Sequence, residues 1–543
     1  MATADVDALI VGAGFSGIYM LKRCRELGLS ARVIEAGTDV GGTWYWNRYP
    51  GARCDVESMT YSYSFSDEMQ RDWTWTERFA RQPEILRYVD YVVEKFDLRR
   101  DMQFETRVTG AAFDGTSNRW TIETDSGEHI SAKYCVMATG CLSTPNLPDF
   151  EGLDNFEGDT YHTGRWSHEE VDFTGKRVGV IGTGSSAVQS IPVIAAHAHH
   201  LTVFQRTPNF SIPAWNGPLD ADAVQAWKAR YPELRQRARA SRVGDIFEIS
   251  ETSALDLSPE AREAEFERRW RQGSFNFLAS FADLITSRAA NDFAAEFVHK
   301  KIRQRVDDPR IAELLCPKDH PLGTKRLCVD TDYYETFNRE NVSLVDVKAA
   351  PIEEITPRGL RAGGREFELD AIVFATGFDA MTGALLNIDI RGRGGIELKQ
   401  KWLDGPRTYL GLAVARFPNL FTVTGPASPS VLSNMMTSIE QHIEWIADCM
   451  EHMEAHGLAT IEARLEAEDE WMQHVTAVAD GTLFFESNTW YVGANIPGKP
   501  RVIYPYVGGV GVYRDICSKI AADGYAGFTL VSAAEHVSPA MGA

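Results

Sequence analysis

Residues 6–28 combine an apolar strand, a glycine-rich turn and a helical pattern in direct succession. The turn reads GAGFSG, with glycines at Gly12, Gly14 and Gly17. This spacing permits a tight turn and a close approach of the backbone to a pyrophosphate, which the N-terminus of the next helix attracts. The following strand ends in Glu35, 23 positions after Gly12. A carboxylate there accepts hydrogen bonds from the ribose hydroxyls and disfavours a 2′-phosphate, which predicts binding of FAD or NAD.

A second segment, residues 176–198, repeats this order, and the first glycine of its turn, Gly182, comes 170 positions after Gly12. Its turn reads GTGSSA, in which alanine replaces the third glycine, a change that the pattern tolerates. The residues expected to hold a pyrophosphate here are Gly182, Gly184, Ser185 and Ser186. The next strand ends in Arg206, which Thr207 follows. A cation at this position suits a 2′-phosphate, so the second turn is predicted to bind NADP(H).

The two turns together predict FAD and NADP(H) in one chain, with hydride passing from the nicotinamide to the flavin. Two matched turns with partners of opposite charge argue against purely structural glycine turns. Flavin reductases, disulfide reductases and flavin monooxygenases share this arrangement. A disulfide reductase needs a redox-active cysteine pair near the first turn, and Cys54 stands alone there, which disfavours that class.

Strand patterns that alternate with helical patterns predict an α/β fold with parallel sheets, built as two Rossmann-like dinucleotide-binding domains with a helical insertion. The apolar runs KYCVM and DAIVF each precede Ala-Thr-Gly. Between them lies a charged region with helical spacing, in which Ser258 and Pro259 predict a helix start. The predicted domain ranges are 1–143 (FAD, first part), 144–212 (NADP, first part), 213–321 (helical insertion), 322–378 (NADP, second part) and 379–543 (FAD, second part).

Composition excludes several other classes of protein. A formal net charge of −21 argues against a nucleic-acid partner, because such a surface repels phosphates. The chain shows no secretory signal and no apolar run of membrane-spanning length, which predicts a cytoplasmic protein without a membrane anchor. Its eight cysteines include no CxxC pair, so neither a disulfide framework nor a metal site is expected.

Two further stretches carry a family resemblance. GGTWYWNRYPGARCD, residues 41–55, and FEGDTYHTGRWS, residues 156–167, together resemble the paired fingerprints of type I Baeyer–Villiger monooxygenases. The longer fingerprint is met at Phe156, Gly158, His162 and Trp166, and it departs from the family at Ser167, where relatives have Pro or Asp. The resemblance extends over essentially the whole chain, and NRYPGARCD, GTKRL and GPRTYLGL are most similar to the phenylacetone and steroid monooxygenase branch.

The resemblance implies an FAD domain split between both chain ends, an NADP domain inserted in it, and a helical subdomain inserted in that. It implies an enzyme that inserts one oxygen atom from O2 beside a ketone carbonyl, giving an ester or lactone. In this family NADPH reduces the flavin, O2 adds at flavin C4a, and the resulting C4a-peroxyflavin attacks the ketone. The partners would then be O2 and a small-molecule ketone that is aryl, cyclic or bulky, and the expected state is a monomer or weak oligomer.

The resemblance also assigns roles to single residues. It places the catalytic arginine at Arg326 and pairs it with Asp55, which would orient the guanidinium. Lys325 would be a second contact for the NADP 2′-phosphate, beside Arg206. Further cofactor-binding residues are expected at Gly42, Thr43, Trp44 and Trp490, and pocket walls at Ser430, Val431 and Leu432.

His162 and Trp166 are expected to couple domain movement to cofactor binding rather than to react. Two alternatives to the ketone oxygenase remain open on the sequence. One is an N- or S-oxygenating flavin monooxygenase, which shares both glycine turns. The other is a flavin-based redox sensor, in which the helical insertion would be a partner surface.

Overall fold

The structure is a computed structural model that describes residues 4–532. The described residues exclude 1–3 and 533–543. The first of these ranges belongs to the N-terminal stretch that shows no secretory signal pattern, and the second ends the last predicted FAD segment. Within the described part of the chain, no helix combines the length and apolar character needed to cross a membrane.

The described residues contain twenty strands. They are β1 (Ala4–Val11), β2 (Ala31–Ile34), β3 (Met102–Gln103), β4 (Val108–Asp114), β5 (Arg119–Thr124), β6 (His129–Met137), β7 (Asp159–His162), β8 (Arg177–Ile181), β9 (His200–Gln205), β10 (Ser211–Pro213), β11 (Cys328–Asp330), β12 (Val342–Asp346), β13 (Ile352–Thr356), β14 (Gly359–Ala362), β15 (Arg365–Glu368), β16 (Ala371–Phe374), β17 (Asp389–Arg391), β18 (Leu420–Thr422), β19 (Leu458–Ala463) and β20 (Phe528–Ser532).

The same residues form sixteen α-helices. They are α1 (Phe15–Glu26), α2 (Thr43–Trp46), α3 (Asp67–Asp72), α4 (Gln82–Lys95), α5 (Ser185–His197), α6 (Ala221–Ala229), α7 (Tyr231–Ala240), α8 (Pro259–Gln272), α9 (Arg288–Arg305), α10 (Pro309–Leu315), α11 (Tyr333–Thr336), α12 (Gly383–Leu386), α13 (Leu398–Lys401), α14 (Met435–Ala455), α15 (Leu465–Asp480) and α16 (Val510–Ala522). Short 3₁₀ helices that matter for the site are Ser274–Phe277, Ser430–Leu432 and Trp490–Val492.

The first sheet has eight strands and draws on both ends of the chain. Seven strands follow the order β17-β4-β5-β6-β1-β2-β3, and β18 pairs with β6. β1 pairs in parallel with β2 and β6, whereas β5 is antiparallel to both of its neighbours. β18 extends the sheet with Leu420 opposite Cys135. The sheet that carries the first glycine turn is therefore completed by residues from the C-terminal part of the chain.

The second sheet has five parallel strands in the order β12-β9-β8-β16-β7. β8 leads into the second glycine turn and α5, and β16 lies between β8 and β7. The apolar run DAIVF forms β16, as the strand pattern predicts. Parallel strands with helical crossovers confirm the predicted α/β fold with two dinucleotide-binding domains.

A helical region interrupts the second sheet between β9 and β12. It contains α6 to α10, and it is flanked by the parallel pair β10–β11. The predicted start of α8 is confirmed, because Ser258 is the N-cap and its side chain accepts from the N–H of Ala261 at 3.3 Å. Phe266 and Phe277 of this region share one apolar core with Val180 of the second sheet, so the helices pack on that sheet. The predicted domain boundaries stay predictions.

Candidate active site

The first glycine turn is closely packed against its own domain. Gly12 has φ of +105°, and a Cβ there would lie 2.7 Å from the carbonyl oxygen of Ala138. A Cβ at Gly17 would lie 1.9 Å from the carbonyl oxygen of Gly12. Gly14 is the N-cap of α1 and has no side-chain cap, so the first N–H groups of the helix are available to an anion.

The carboxylate of Glu35 closes this turn. One of its oxygens accepts from the N–H of Ala13 at 2.8 Å and the other from that of Gly37 at 2.7 Å. Glu35 is buried, being only 6% exposed, and each carboxylate oxygen keeps a second lone pair for a ribose hydroxyl. The turn and its carboxylate therefore fit the adenosine and pyrophosphate of FAD.

The GGTW stretch lies directly on the first turn. A Cβ at Gly42 would lie 2.8 Å from the Cα of Gly14, and the N–H of Gly41 donates to the carbonyl of Ala13 at 3.0 Å. Thr43 is exposed at the start of α2, whereas Trp44 is buried and its indole N–H donates to the hydroxyl of Tyr61 at 3.1 Å. The structure thus brings the predicted residues 42–44 to the FAD turn.

The rest of this fingerprint docks onto the helix of the second turn. The amide oxygen of Gln189 in α5 accepts from the Tyr49 hydroxyl at 2.8 Å and from the N–H of Arg53 at 3.3 Å. A Cβ at Gly51 would lie 2.3 Å from the carbonyl oxygen of Gln189. Residues 49–53 therefore join the two nucleotide sites, and Asp55 follows directly after this junction.

The second glycine turn is more open. A Cβ at Gly182 would lie 2.3 Å from the carbonyl oxygen of Ala375, but a Cβ at Gly184 would meet nothing within 4 Å. Gly184 is the uncapped N-cap of α5. The hydroxyl of Ser186 lies 3.1 Å from that of Thr163, and the hydroxyl of Ser185 lies 3.7 Å from the sulfur of Cys328.

Two cations stand beside the second turn without a carboxylate partner. Arg206 is exposed at the end of β9, next to Thr207, whose carbonyl accepts from the Thr183 hydroxyl at 2.5 Å. Neither Arg206 nor Lys325 forms an ion pair within 4 Å with any residue between 4 and 532. Burial lowers the pKa of Lys325, Asp319 raises it, and repulsion from Arg206 lowers it further. Two cations that repel each other beside an open turn suit the phosphates of NADP(H).

The predicted catalytic pair forms between the two nucleotide sites. The guanidinium of Arg326 donates to Asp55 from Nε at 3.0 Å and from Nη2 at 2.8 and 2.9 Å. The side chains are 25% and 20% exposed, so both can meet a bound molecule. Burial opposes the charge of Arg326, but Asp55 outweighs it and the pKa of Arg326 is raised. The pair is a fixed cation held by a bidentate carboxylate.

Three neighbours of Arg326 were not predicted as its partners. Its Nη1 donates to the carbonyl of Val431 at 2.8 Å, and its guanidinium lies 4.7 Å from the ring centre of Phe275 in the helical region. Tyr491 is 2% exposed, and burial raises its pKa to about 12 while Arg326 acts in the opposite direction. These residues come from three distant segments of the chain, and no local pattern in the sequence joins them to Arg326.

Of the three residues predicted as pocket walls, Val431 and Ser430 are buried and Leu432 is partly buried. The Ser430 hydroxyl donates to the carbonyl of Thr424 at 3.2 Å, so it faces the protein interior. Trp490 is partly buried and its ring centre lies 4.2 Å from that of Tyr491. Trp490 thus begins the 3₁₀ helix that carries Tyr491, the neighbour of Arg326.

His162 contacts two segments that lie next to predicted domain boundaries, at Asn146 and Thr376. Its Nδ1 accepts from the N–H of Gly164 at 2.9 Å, and its Nε2 lies 3.4 Å from the carbonyl oxygen of Asn146 and 3.3 Å from the Thr376 hydroxyl. Burial lowers its pKa, the contact with Asn146 raises it, and Arg165 lowers it again. His162 therefore bonds to both segments and makes no contact with Arg326, and its coupling role stays a prediction.

Trp166 anchors the same stretch to the second domain. Its ring is 5% exposed and stacks on Tyr161 at 5.1 Å. The backbone N–H of Trp166 donates to the backbone carbonyl of Trp46 at 3.2 Å, so the two fingerprints touch each other. Ser167, which departs from the family pattern, accepts the N–H of Glu169 at 3.0 Å.

Two nucleotide sites that meet at an arginine–carboxylate pair define a flavoprotein oxidoreductase with a second, phosphate-binding site. No cluster of metal-ligating side chains occurs among residues 4–532. All eight cysteines are free and buried, and none of them forms a redox pair.

Comparison with known proteins gives the family. A family model described as flavin-binding monooxygenase-like matches residues 6–212. A Baeyer-Villiger monooxygenase of Pseudooceanicola batsensis is 46% identical over 98% of this chain and 98% of its own. An acetone monooxygenase (methyl acetate-forming) of Gordonia sp. is 44% identical over 98% of this chain and 100% of its own. A phenazine N-monooxygenase of Lysobacter antibioticus is 43% identical over 97% of each chain.

Solved structures agree with the sequence relatives. An oxidized steroid monooxygenase bound to NADP has a TM-score of 0.94 and 51% identity, over 97% of this chain and 100% of that one. A complex of OTEMO with FAD and NADP has a TM-score of 0.94 and 41% identity, over 98% and 100% of the two chains. The chain belongs to the family of flavin-dependent Baeyer–Villiger monooxygenases, and its cofactors are FAD and NADP(H).

Proposed function

We propose that this enzyme converts aryl, cyclic or otherwise bulky ketones to esters or lactones, and that Arg326 is its catalytic cation. When bound, the flavin takes electrons from NADPH and supplies one oxygen atom from O2 to the substrate. The observation that carries the proposal is the bidentate Arg326–Asp55 pair between the two nucleotide sites.

Arg326 stabilises negative charge that develops on oxygen during ketone oxygenation. A fixed cation aimed at such charge is commonly the largest contribution that a protein makes. Asp55 holds Nε and Nη2, whereas Nη1 donates only to the carbonyl of Val431 in the pocket wall. The Nη1 group is therefore the donor that turns toward a bound ketone at the least cost to the ion pair. Asp55 fixes the guanidinium plane through its hydrogen bonds to Nε and Nη2. Arg326 needs this partner because arginine cannot give up its charge when it is buried.

The substrate class follows from the apolar neighbours of Arg326. Val431 and Leu432 present aliphatic side chains, and Phe275 presents an aromatic face to the guanidinium. Such walls suit a ketone with bulky apolar substituents. Apolar contacts discriminate between similar ligands by only about 1–3 kcal/mol, so we expect several ketones to be accepted.

The test is a ketone panel with the purified flavoprotein. Phenylacetone, a cyclic ketone and a steroid ketone are incubated with NADPH or NADH under air, and products are identified by mass spectrometry. We expect esters or lactones that have gained one oxygen atom, with NADPH strongly preferred. If no ketone gains an oxygen atom and none accelerates NADPH consumption, the proposal is wrong.

N-oxygenation is a second candidate activity, because one relative at 43% identity is named a phenazine N-monooxygenase. Attack on a nitrogen lone pair forms no tetrahedral oxyanion, so it needs Arg326 less. A phenazine added to the same panel separates the two activities. N-oxide formation that survives Arg326→Ala while ester formation is lost would show both at one site, and N-oxide without any ester would favour this candidate.

A further inference from the structure

The end of strand β12 brings an unassigned lysine beside the second nucleotide site. β12 pairs in parallel with β9, and Asp346 lies opposite Gln205. The N–H of Val347 then donates to the carbonyl of Gln205 at 2.9 Å. Lys348 is the next residue, so it leaves the sheet at the edge where Arg206 follows β9. The carboxyl ends of parallel strands are where such sheets bind their ligands.

Three cations, Arg206, Lys325 and Lys348, share this edge with two carboxylates, and one of these, Asp346, accepts the backbone N–H of Lys348 at 2.9 Å. Burial has the largest effect on the pKa of Lys325 and lowers it, whereas the attraction of Asp319 raises it. Arg206 and Lys348 both repel the ammonium of Lys325 and lower its pKa further. The carboxylate of Asp319 lies 3.5 Å from the ammonium of Lys348 and 2.8 Å from Nδ1 of His320. Among residues 4–532 this is the one ion pair within 4 Å that Lys348 makes.

His320 adds no compensating charge of its own. It is buried, and burial lowers its pKa, with Asp319 acting to raise it and Lys325 to lower it. A neutral His320 leaves the three cations with a surplus of one positive charge over the carboxylates of Asp319 and Asp346. Such a surplus at a strand edge suits an anion such as a phosphate.

We propose that Lys348 is a third cation for the 2′-phosphate of NADP(H), held by Asp319 until the phosphate arrives. This inference rests on the assignment of the second turn to NADP(H) and adds a specificity residue to it. The side chain of Lys348 is 67% exposed, so its ammonium can turn without leaving a packed environment. An exposed ion pair is weak, and a phosphate dianion beside two further cations competes with it.

The first test measures binding rather than turnover. Isothermal titration of the FAD-loaded enzyme compares adenosine 2′,5′-bisphosphate with 5′-AMP, two ligands that differ only in the 2′-phosphate. Lys348→Gln should raise the Kd for the bisphosphate about three- to tenfold, the scale of one exposed charge contact, and leave the Kd for 5′-AMP unchanged. Lys399→Gln removes an exposed lysine in α13 and is the matched control, with no effect on either Kd.

The second test uses a variant that should bind the bisphosphate more tightly rather than more weakly. Asp319→Asn keeps an acceptor for His320 but removes the charge that holds Lys348, so the Kd for the bisphosphate should fall. In the Lys348→Gln background the same change should have a smaller effect. In turnover, Lys348→Gln should raise KM for NADPH while kcat and KM for NADH stay constant, a split that general destabilisation would not produce.

The outcomes separate the inference from the assignment beneath it. If Lys348→Gln leaves both Kd values unchanged, or raises them equally, while Arg206→Ala still weakens bisphosphate binding, Lys348 has no phosphate role and the NADP(H) site stands. If Asp319→Asn weakens bisphosphate binding, Asp319 does not hold Lys348 away from the phosphate and the proposal is overturned. If the wild-type enzyme binds both ligands equally, the assignment of the site itself fails.

Discussion

The two glycine turns follow the same local pattern but lie in opposite surroundings. At the first, Gly42 packs against Gly14 and the carboxylate of Glu35 bonds two backbone N–H groups. At the second, the space around Gly184 is open and Arg206 is exposed without an ion pair to any described residue. Two similar turns can therefore differ in function, because one can enclose its cofactor while the other allows its cofactor to exchange. We infer that FAD is held throughout turnover, whereas NADP(H) binds through charges that its own phosphate must neutralise.

Substitution of the turn glycines should give the largest contrast. A Cβ at position 17 would overlap the carbonyl of Gly12 at 1.9 Å, and neither atom belongs to a flexible side chain. Gly17→Ala should abolish FAD retention or folding, measured as flavin absorbance per protein after gel filtration. Gly184→Ala, where the space is open, should retain full flavin and lose at most a few-fold in NADPH affinity. Equal flavin content in the two variants would contradict the difference in packing.

Removal of the exposed Arg206 side chain should have the next largest effect, and it should weaken the binding of NADPH without changing that of FAD. Arg206→Ala should raise KM for NADPH about 10- to 100-fold, because a charge-assisted phosphate contact is lost. KM for NADH and the flavin content should not change, since neither NADH nor FAD has a 2′-phosphate. A matching loss with NADH would show that Arg206 supports the fold of the site rather than phosphate binding.

Replacement of the Glu35 carboxylate at the first turn should have a smaller effect, and this effect should fall on FAD rather than on NADP(H). Glu35→Gln keeps one acceptor oxygen but replaces the other by an NH2 group, so either Ala13 or Gly37 loses its acceptor and FAD affinity should fall about tenfold. The ratio of NADPH to NADH use should stay the same. Fluorescence of released flavin on dilution measures the first quantity, and a shift in the cofactor ratio would argue that the two sites are not independent.

The smallest predicted effect is a pH dependence confined to NADPH. Lys325 binds phosphate only when protonated, and its pKa in the free enzyme lies below the ordinary 10.5. Affinity for NADPH should therefore be complete at neutral pH and decline as pH rises through that lowered pKa. KM for NADPH should rise a few-fold at alkaline pH while KM for NADH stays flat. Lys325→Arg should remove this rise in KM, because a guanidinium stays charged over the whole pH range. If KM for NADPH still rises in this variant, a group other than Lys325 causes the pH dependence.

How much the sequence predicts depends on the distance along the chain. Gly12, Glu35, Gly182 and Arg206 were recognised from spacing, because a turn and the end of the next strand obey local rules. Asp55 and Arg326 lie 271 positions apart, and no local pattern joins them. Their pairing was available only from the family resemblance. The contacts of Phe275, Val431 and Lys348 depend on how distant segments pack, so the sequence did not predict them.

The central claim is that the pair between the two nucleotide sites serves oxygen insertion and not electron transfer. Arg326→Ala tests it with two measurements on one preparation: anaerobic flavin reduction by NADPH in stopped flow, and ester formed per NADPH consumed with phenylacetone. The account predicts a reduction rate within about threefold of the wild type and no detectable ester, because only charge stabilisation in the later step is lost. A normal ester yield from this variant would contradict the account.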